Sequence, residues 1–210
     1  MFFDFCASLW LISIMKIVLA ITGASGAIYA QRLLDVLVGE NPKSENRNPK
    51  SVEVHLITTK HSREVIALEL PKGDLVVPPS VIQYDERDSM FVPFVSGSAK
   101  FDAMVLCPAS MGMIGRIASG VSDSTITRAA DVFLKERRKL ILVPREAPFN
   151  LIHLRNMATL TEAGAVIIPA SPSFYTKPKT LTEAADTVVA RILDHLGVEH
   201  RLAKRWQSEE

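Results

Sequence analysis

Arginine and glutamate stand side by side at 145 and 146 in "VPREAP", directly after an apolar run that reads as a buried strand. A guanidinium beside a carboxylate at such a place is either a surface ion pair or a functional pair of opposite charges. Two such neighbours on a surface are often an ion pair of little consequence. A strand end, however, is where parallel α/β sheets hold their ligands, and Pro144 and Pro148 stiffen this turn. Two other turns share that position. "ITGASGAI" sets Gly23 and Gly26 between an apolar run and a helical pattern, and "CPASMGM" sets Ser110, Met111 and Gly112 after another apolar run. Glycine lets the backbone come close to a ligand, and N–H groups at a helix start attract phosphate. A further run ends in "ITTKHS", where Thr59 and Lys60 offer a hydroxyl and a positive charge.

Strands must hold these turns on one edge, and the pattern supplies them. Short runs rich in Val and Ile predict strands at Lys16–Thr22, Val52–Thr59, Ala103–Cys107, Leu140–Pro144 and Ala165–Pro169. Amphipathic stretches between them predict helices at Ala27–Val38, Arg63–Leu70, Thr125–Lys135, Leu151–Ala163 and Thr180–Leu196. Strands apolar on both faces and separated by helices indicate a parallel sheet covered on each side. The expected fold is a three-layer α/β domain of Rossmann or flavodoxin type, mainly parallel, with right-handed crossovers. "GENPKSENRNPKS" (39–51) reads as a surface loop, and residues 71–100 carry no clear assignment.

The totals bound the function. With 210 residues, 48% of them hydrophobic, the chain builds one core, so a single domain over 15–198 is expected. A net charge of +1 argues for neither nucleic acid nor an anionic membrane surface. Cys6 and Cys107 match neither a disulfide framework nor a zinc spacing, which suits a reducing, cytoplasmic setting. "MFFDFCASLWLISIM" is apolar but carries Asp4 where a signal peptide has Lys or Arg, and Lys16 interrupts it before it spans a bilayer. The reading is an extension over 1–14, with the working protein starting near Met15; a weak membrane anchor is the alternative. Residues 199–210 read as a tail.

"TGASGAI" invites a dinucleotide reading, and three features oppose it. The third fingerprint glycine is missing, and no acidic residue ends the second strand to hold a ribose hydroxyl. The apparent YxxxK pair, Tyr175 and Lys179, has Pro178 inside it, which breaks the helix face that the pair requires. Thr59 and Lys60 suit a terminal phosphate, so a mononucleotide such as FMN fits better.

Several long stretches in order, "TGASGAIY", "KERRKLILVPREAPFNLIHLRNM", "GAVIIPASPSFYTKP" and "ARILDHLG" with a closing "RW", resemble the flavin prenyltransferases of the UbiX/Pad type, from Met15 to Trp206. These are homo-oligomeric flavoproteins. The resemblance implies that a dimethylallyl group from dimethylallyl phosphate is joined to N5 and then C6 of reduced FMN, without a metal. The product, prenylated FMN, serves a separate decarboxylase of the UbiD type. A homo-oligomer, commonly a dodecamer with flavin at subunit junctions, is implied as well, with no nucleic acid and no membrane span.

The same resemblance assigns residues. Gly23, Ala24 and Ser25 match the flavin loop, with the Ser25 hydroxyl near N5, and Thr59 matches a hydroxyl on the FMN phosphate. Ser110, Met111, Gly112 and Met113 match the second flavin loop, and Arg128 a cofactor-binding arginine. Lys135, Arg145, Tyr175 and Arg191 match the cluster that grips the dimethylallyl phosphate, where positive charge stabilises the departing phosphate. Glu146 matches the acid/base on that phosphate, Glu69 a carboxylate near the flavin, and Trp206 an aromatic whose face steadies an allyl cation. Arg137, Arg138 and Lys139 read as a solvated helix end suited to the helix dipole. Ser89 stands near a position where some relatives carry tryptophan.

Three other readings compete. A flavin-dependent cysteine decarboxylase would carry a "PASANT"-like stretch where this chain has "PASMGM". An aromatic-acid decarboxylase would need a carboxylate pocket rather than phosphate grips. A non-catalytic flavin carrier would leave Lys135, Arg145, Glu146 and Tyr175 unexplained.

Overall fold

The structure is a computed structural model that describes residues 14–39, 52–86 and 91–202. Among them, six parallel strands form one sheet in the order β3-β2-β1-β4-β5-β6. The strands are β1 (Met15–Ile21), β2 (Val52–Thr58), β3 (Ile82–Asp85), β4 (Ala103–Ala109), β5 (Lys139–Pro144) and β6 (Val166–Ile167). The helices are α1 (Ala27–Leu37), α2 (Lys60–Glu69), α3 (Met111–Ala118), α4 (Thr125–Lys135), α5 (Leu151–Glu162) and α6 (Leu181–Leu196).

Period-two alternation in β1 builds two cores. Ile17, Leu19 and Ile21 point to one face, where Leu33 and Leu37 of α1 and Val189, Ile192 and Leu193 of α6 cover them. Val18 and Ala20 point to the other face, against Ile114 of α3, Ala130 and Phe133 of α4 and Phe94. Each large aliphatic side chain so buried contributes about 2 kcal/mol by removal from water. The two helices over the first face are also tied by charge. Arg32 Nε and Nη2 donate to both oxygens of Asp186, at 2.8 and 3.1 Å, and the Asp186 side chain is 5% exposed.

The expected three-layer α/β architecture is the one observed. α4 spans the predicted residues because Ser124 and Thr127 form a reciprocal cap at its start. α2 begins three residues earlier than expected, because the Thr59 hydroxyl accepts from Ser62 N at 3.0 Å and sets the cap there. Two elements have no counterpart among the predictions. β3 is a four-residue edge strand with no fully buried side chain, so it lacks the apolar run that marks the others. α3 follows Ser110, where the glycines of "MGMIG" masked an apolar helix face.

Residues 1–13 and 203–210 lie outside the described residues, and so does most of the expected extension and tail. Residues 199–202 keep to the body: His200 Nε2 meets Asp194 Oδ1 at 3.1 Å, and Leu202 packs on the first core. Among the described residues no helix is long and apolar enough to cross a membrane.

Candidate active site

The parallel sheet brings the ends of β1, β2, β4 and β5 to one edge, and the turn residues gather there. Gly23 is set by close approach: a Cβ on it would lie 2.7 Å from His61 Cβ, in the first turn of α2. The glycine loop and the α2 N-terminus are therefore packed face to face, and Thr59 N donates to Ile21 O at 3.1 Å across the same junction. Gly26 caps α1 with φ +113°, a conformation that favours glycine, and has no side-chain cap of its own.

Glu69 supplies the missing cap. From the end of α2, its Oε2 accepts from Gly26 N and Ala27 N, each at 2.8 Å. Burial opposes its charge, but hydrogen bonds from the Ser25 hydroxyl and these two N–H groups, together with the Arg145 charge, outweigh it and hold the carboxyl below its ordinary range. This corrects one expectation. The N–H groups of Gly26 and Ala27 are already taken by a carboxylate, so they do not hold a phosphate; like charges there would repel. Thr59 and Lys60 stand at the α2 N-terminus on the same edge. The Thr59 oxygen accepts from Ser62 N, which leaves its proton to donate.

The second turn belongs to β4 and α3. Ser110 caps α3, with Met113 N donating to its hydroxyl at 3.4 Å. Met111 and Met113 bury their side chains in the second core, 5% exposed each, so only their backbone faces the edge. Gly112 differs: it is exposed, and a Cβ on it would meet nothing within 4 Å. Packing within the chain does not demand glycine at 112; room above the backbone suits a flat ligand lying on it.

Arg145 and Glu146 follow β5 at the same edge, with Arg145 N donating to Ala109 O at 3.4 Å. Both are exposed, and Glu146 Oε1 accepts from Ala147 N at 3.1 Å. The Arg145 charge reaches both Glu69 and Tyr29. Tyr29 is a residue that the sequence reading missed. It lies against Gly26, its Cδ2 2.8 Å from where a Cβ would stand; burial, with Cys107 nearby, raises its phenol, and Arg145 works the other way. Its place three residues after Gly26 on a helix was the available signal. Tyr175 stands in the segment between β6 and α6, which is tied to the same edge by Ala170 N donating to Pro144 O at 2.9 Å.

Lys135 and Arg191 are elsewhere. Lys135 ends α4 just before the chain enters β5 at Lys139, so it stands at the opposite, amino-terminal edge of the sheet, its Nζ 2.5 Å from Glu136 Oε1. Arg191 lies one turn before His195, whose carbonyl accepts from Lys139 at that same far edge, and it pairs with Asp194 at 2.9 Å. The six residues of β5 separate the two edges by about 20 Å. One chain places Arg145 at one edge and leaves Lys135 and Arg191 toward the other. Arg128, in the first turn of α4, pairs with Asp131 at 3.0 Å and lines a groove with Phe91, Ser96 and Gly97. Trp206 and Ser89 lie outside the described residues.

The expected solvated helix end at 137–139 describes the exposed Arg137 but needs correction at Arg138 and Lys139. Arg138 donates to Ala99 O at 2.6 Å and Gly97 O at 2.5 Å, clamping the turn that faces Lys135. A Cβ on Gly97 would lie 2.9 Å from Lys135 Nζ, so turn and lysine are in contact. Lys139 likewise donates to the His195 carbonyl rather than standing free.

Among known proteins, the family model described as Flavoprotein matches residues 11–197. A flavin prenyltransferase UbiX from Methanocaldococcus jannaschii is 45% identical over 192 residues, covering 91% of this chain and 98% of that protein. This chain belongs to the UbiX flavin prenyltransferase family. Among solved structures, AnUbiX (PadA1) in complex with FMN and dimethylallyl pyrophosphate is 37% identical with a TM-score of 0.81, over 94% of this chain and 100% of that one. A dodecameric FMN-dependent UbiX-like decarboxylase from Escherichia coli O157:H7 is 38% identical with a TM-score of 0.82, over 92% of this chain and 100% of that one.

The residues at the edge fit the flavin that this UbiX family takes. Gly112 leaves open backbone at the edge, and the α2 N-terminus packs beside the glycine loop. Among the described residues no group of three or more His, Cys, Asp or Glu side chains is placed to hold a metal ion.

Proposed function

We propose that this chain transfers a dimethylallyl group from dimethylallyl phosphate to reduced FMN, forming prenylated FMN. One observation carries the reading: the Ser25–Glu69 pair and the Arg145–Glu146 pair meet at one sheet edge, in a chain 45% identical to a UbiX flavin prenyltransferase. Reduced FMN supplies the nucleophilic ring atoms, N5 and C6.

The chain does the rest. Gly23, Ala24 and Gly112 let the ring lie close to backbone, while Thr59 donates to the FMN phosphate. Ser25, hydrogen-bonded to Glu69, stands where a proton must move at N5, and the depressed carboxyl keeps Glu69 an acceptor for that hydroxyl. Arg145 holds the donor phosphate and offsets its growing charge as the carbon–oxygen bond breaks. Glu146 handles the phosphate proton, and Tyr175 donates a hydrogen bond to a phosphate oxygen. Lys135 and Arg191 join this grip from neighbouring copies, since about 20 Å separates the two edges of one chain. That split supports a homo-oligomer with sites at the junctions, in keeping with the dodecameric relative. Prenylated FMN then passes to a UbiD-type decarboxylase in the cytoplasm.

The test is anaerobic incubation of the purified protein with reduced FMN and dimethylallyl monophosphate, followed by mass spectrometry of the released flavin. A gain of one five-carbon unit without added metal is the expected result. Tightly bound but unmodified flavin, with either the monophosphate or the diphosphate, would overturn the transfer and leave a carrier or a decarboxylase.

A further inference from the structure

Thr22, the residue between β1 and the glycine loop, makes three hydrogen bonds to the second turn. Its N–H donates to Pro108 O at 3.2 Å, and its hydroxyl donates to the same carbonyl at 3.0 Å. The hydroxyl oxygen in turn accepts from Ser110 N at 2.7 Å. The side chain is 1% exposed, and the hydroxyl is used as donor and as acceptor at once. Chemistry explains why a side chain is needed there. Pro108 has no N–H, so β4 has no donor of its own at that position to continue the ladder toward β1. The β4–β5 register also shifts between Leu106 and Ala109, so regular pairing with β5 is interrupted at Cys107 and Pro108 and resumes at Ala109. The Thr22 hydroxyl adds to the backbone bond a side-chain link that reaches past Pro108 to the helix start at Ser110.

We infer that Thr22 is a positioning residue that sets the spacing of the two flavin-facing turns, through a hydroxyl shared between Pro108 O and Ser110 N. The inference rests on the reading that FMN lies across both turns. Threonine suits the task better than serine because its branched Cβ restricts the side-chain torsion, so the hydroxyl is aimed before the ligand arrives. Valine has nearly the same shape and lacks only the hydroxyl, which makes it the sharp probe. Asp186, in the ion pair between α1 and α6, bonds to Arg32 rather than to either turn and supplies a control that lowers stability.

The experiment is titration of the flavin-free protein with FMN, read by quenching of flavin fluorescence, alongside thermal unfolding, for the wild type, Thr22→Val, Thr22→Ser and Asp186→Asn. Thr22→Val weakens FMN by roughly tenfold, the scale of one well-made hydrogen bond. Thr22→Ser weakens it by about threefold, because the hydroxyl remains but its aim is looser. Asp186→Asn lowers the melting temperature and leaves FMN affinity at the wild-type value. Wild-type affinity in Thr22→Val overturns the inference, as does a loss of affinity in Asp186→Asn matching that of Thr22→Val at equal loss of stability. If Thr22→Val yields no folded protein, Thr22→Ser decides, and wild-type affinity in that variant overturns the inference. Failure of the wild type itself to bind FMN overturns the flavin reading instead, and the two failures are told apart by that first titration.

Discussion

Glu69 Oε2 lies 2.8 Å from the backbone nitrogens of both Gly26 and Ala27, so the last residue of α2 caps the first turn of α1. A single carboxylate thereby joins two helices, neutralises the positive end of one of them, and receives the hydroxyl of Ser25.

Removing that charge has a stability cost and a pH signature. Glu69→Gln lowers stability by about 1 kcal/mol, the scale of a lost cap that is partly screened by solvent. Because the folded carboxyl lies below its ordinary value of 4.5, its contribution is complete above that value and is lost as pH falls through the lower, folded value. Melting temperatures of wild type and Glu69→Gln measured between neutral and acid pH converge only under acid conditions; a constant gap across the whole range would rule the account out.

Glu146 is exposed and, among the described residues, its side chain accepts one local hydrogen bond, from Ala147 N, so its loss costs the fold little. Glu146→Gln retains FMN affinity and melting temperature, while turnover of dimethylallyl phosphate falls by about a hundredfold or more. Single-turnover mass spectrometry of the flavin measures this, and undiminished turnover would remove Glu146 from the chemistry.

Gly112 and Gly23 separate ligand space from chain packing. Gly112→Ala meets no neighbour within 4 Å and replaces glycine in a helix, so it raises stability by roughly 0.5 kcal/mol or more while weakening FMN. Gly23→Ala forces a Cβ to within 2.7 Å of His61 Cβ, so it lowers both stability and FMN affinity. Unfolding curves paired with FMN titrations give the two signs, and a Gly112→Ala protein that binds FMN normally would clear the ligand from that surface.

Asp186 is nearly buried against Arg32, so truncating it removes two hydrogen bonds from a guanidinium that keeps Asp35, at 3.1 Å, as its remaining acidic partner. Asp186→Ala costs about 2 kcal/mol in urea unfolding, whereas replacing the pair together, Arg32→Met with Asp186→Leu, costs less than that single change.

Lys135 and Arg145 stand at opposite edges of one chain, which makes shared sites testable by mixing. Lys135→Ala and Glu146→Gln proteins, each inactive alone, regain activity when unfolded together and reassembled as mixed oligomers. No recovery, in mixed oligomers verified by native mass spectrometry, would mean that one chain holds the whole grip.

The sequence alone determined the alternation of strand and helix, because β1, β4 and β5 are apolar on both faces and α4 carries its own capping residues. It also placed "TGASG" and "VPREAP" at strand ends, since glycine after an apolar run and a charge pair after a buried strand are local signals. Tertiary structure alone decided where the reach of each side chain ended. Gly26 carries no hint that a carboxylate on α2 will cap it, and Arg138 reads as a solvated helix end until the 97–99 turn folds onto it. Lys135 and Arg145 lie ten positions apart in sequence, yet β5 runs between them and carries them to opposite edges. Covalent neighbours and periodicity are written along the chain, whereas contacts across elements depend on sheet order and on the direction in which each helix returns.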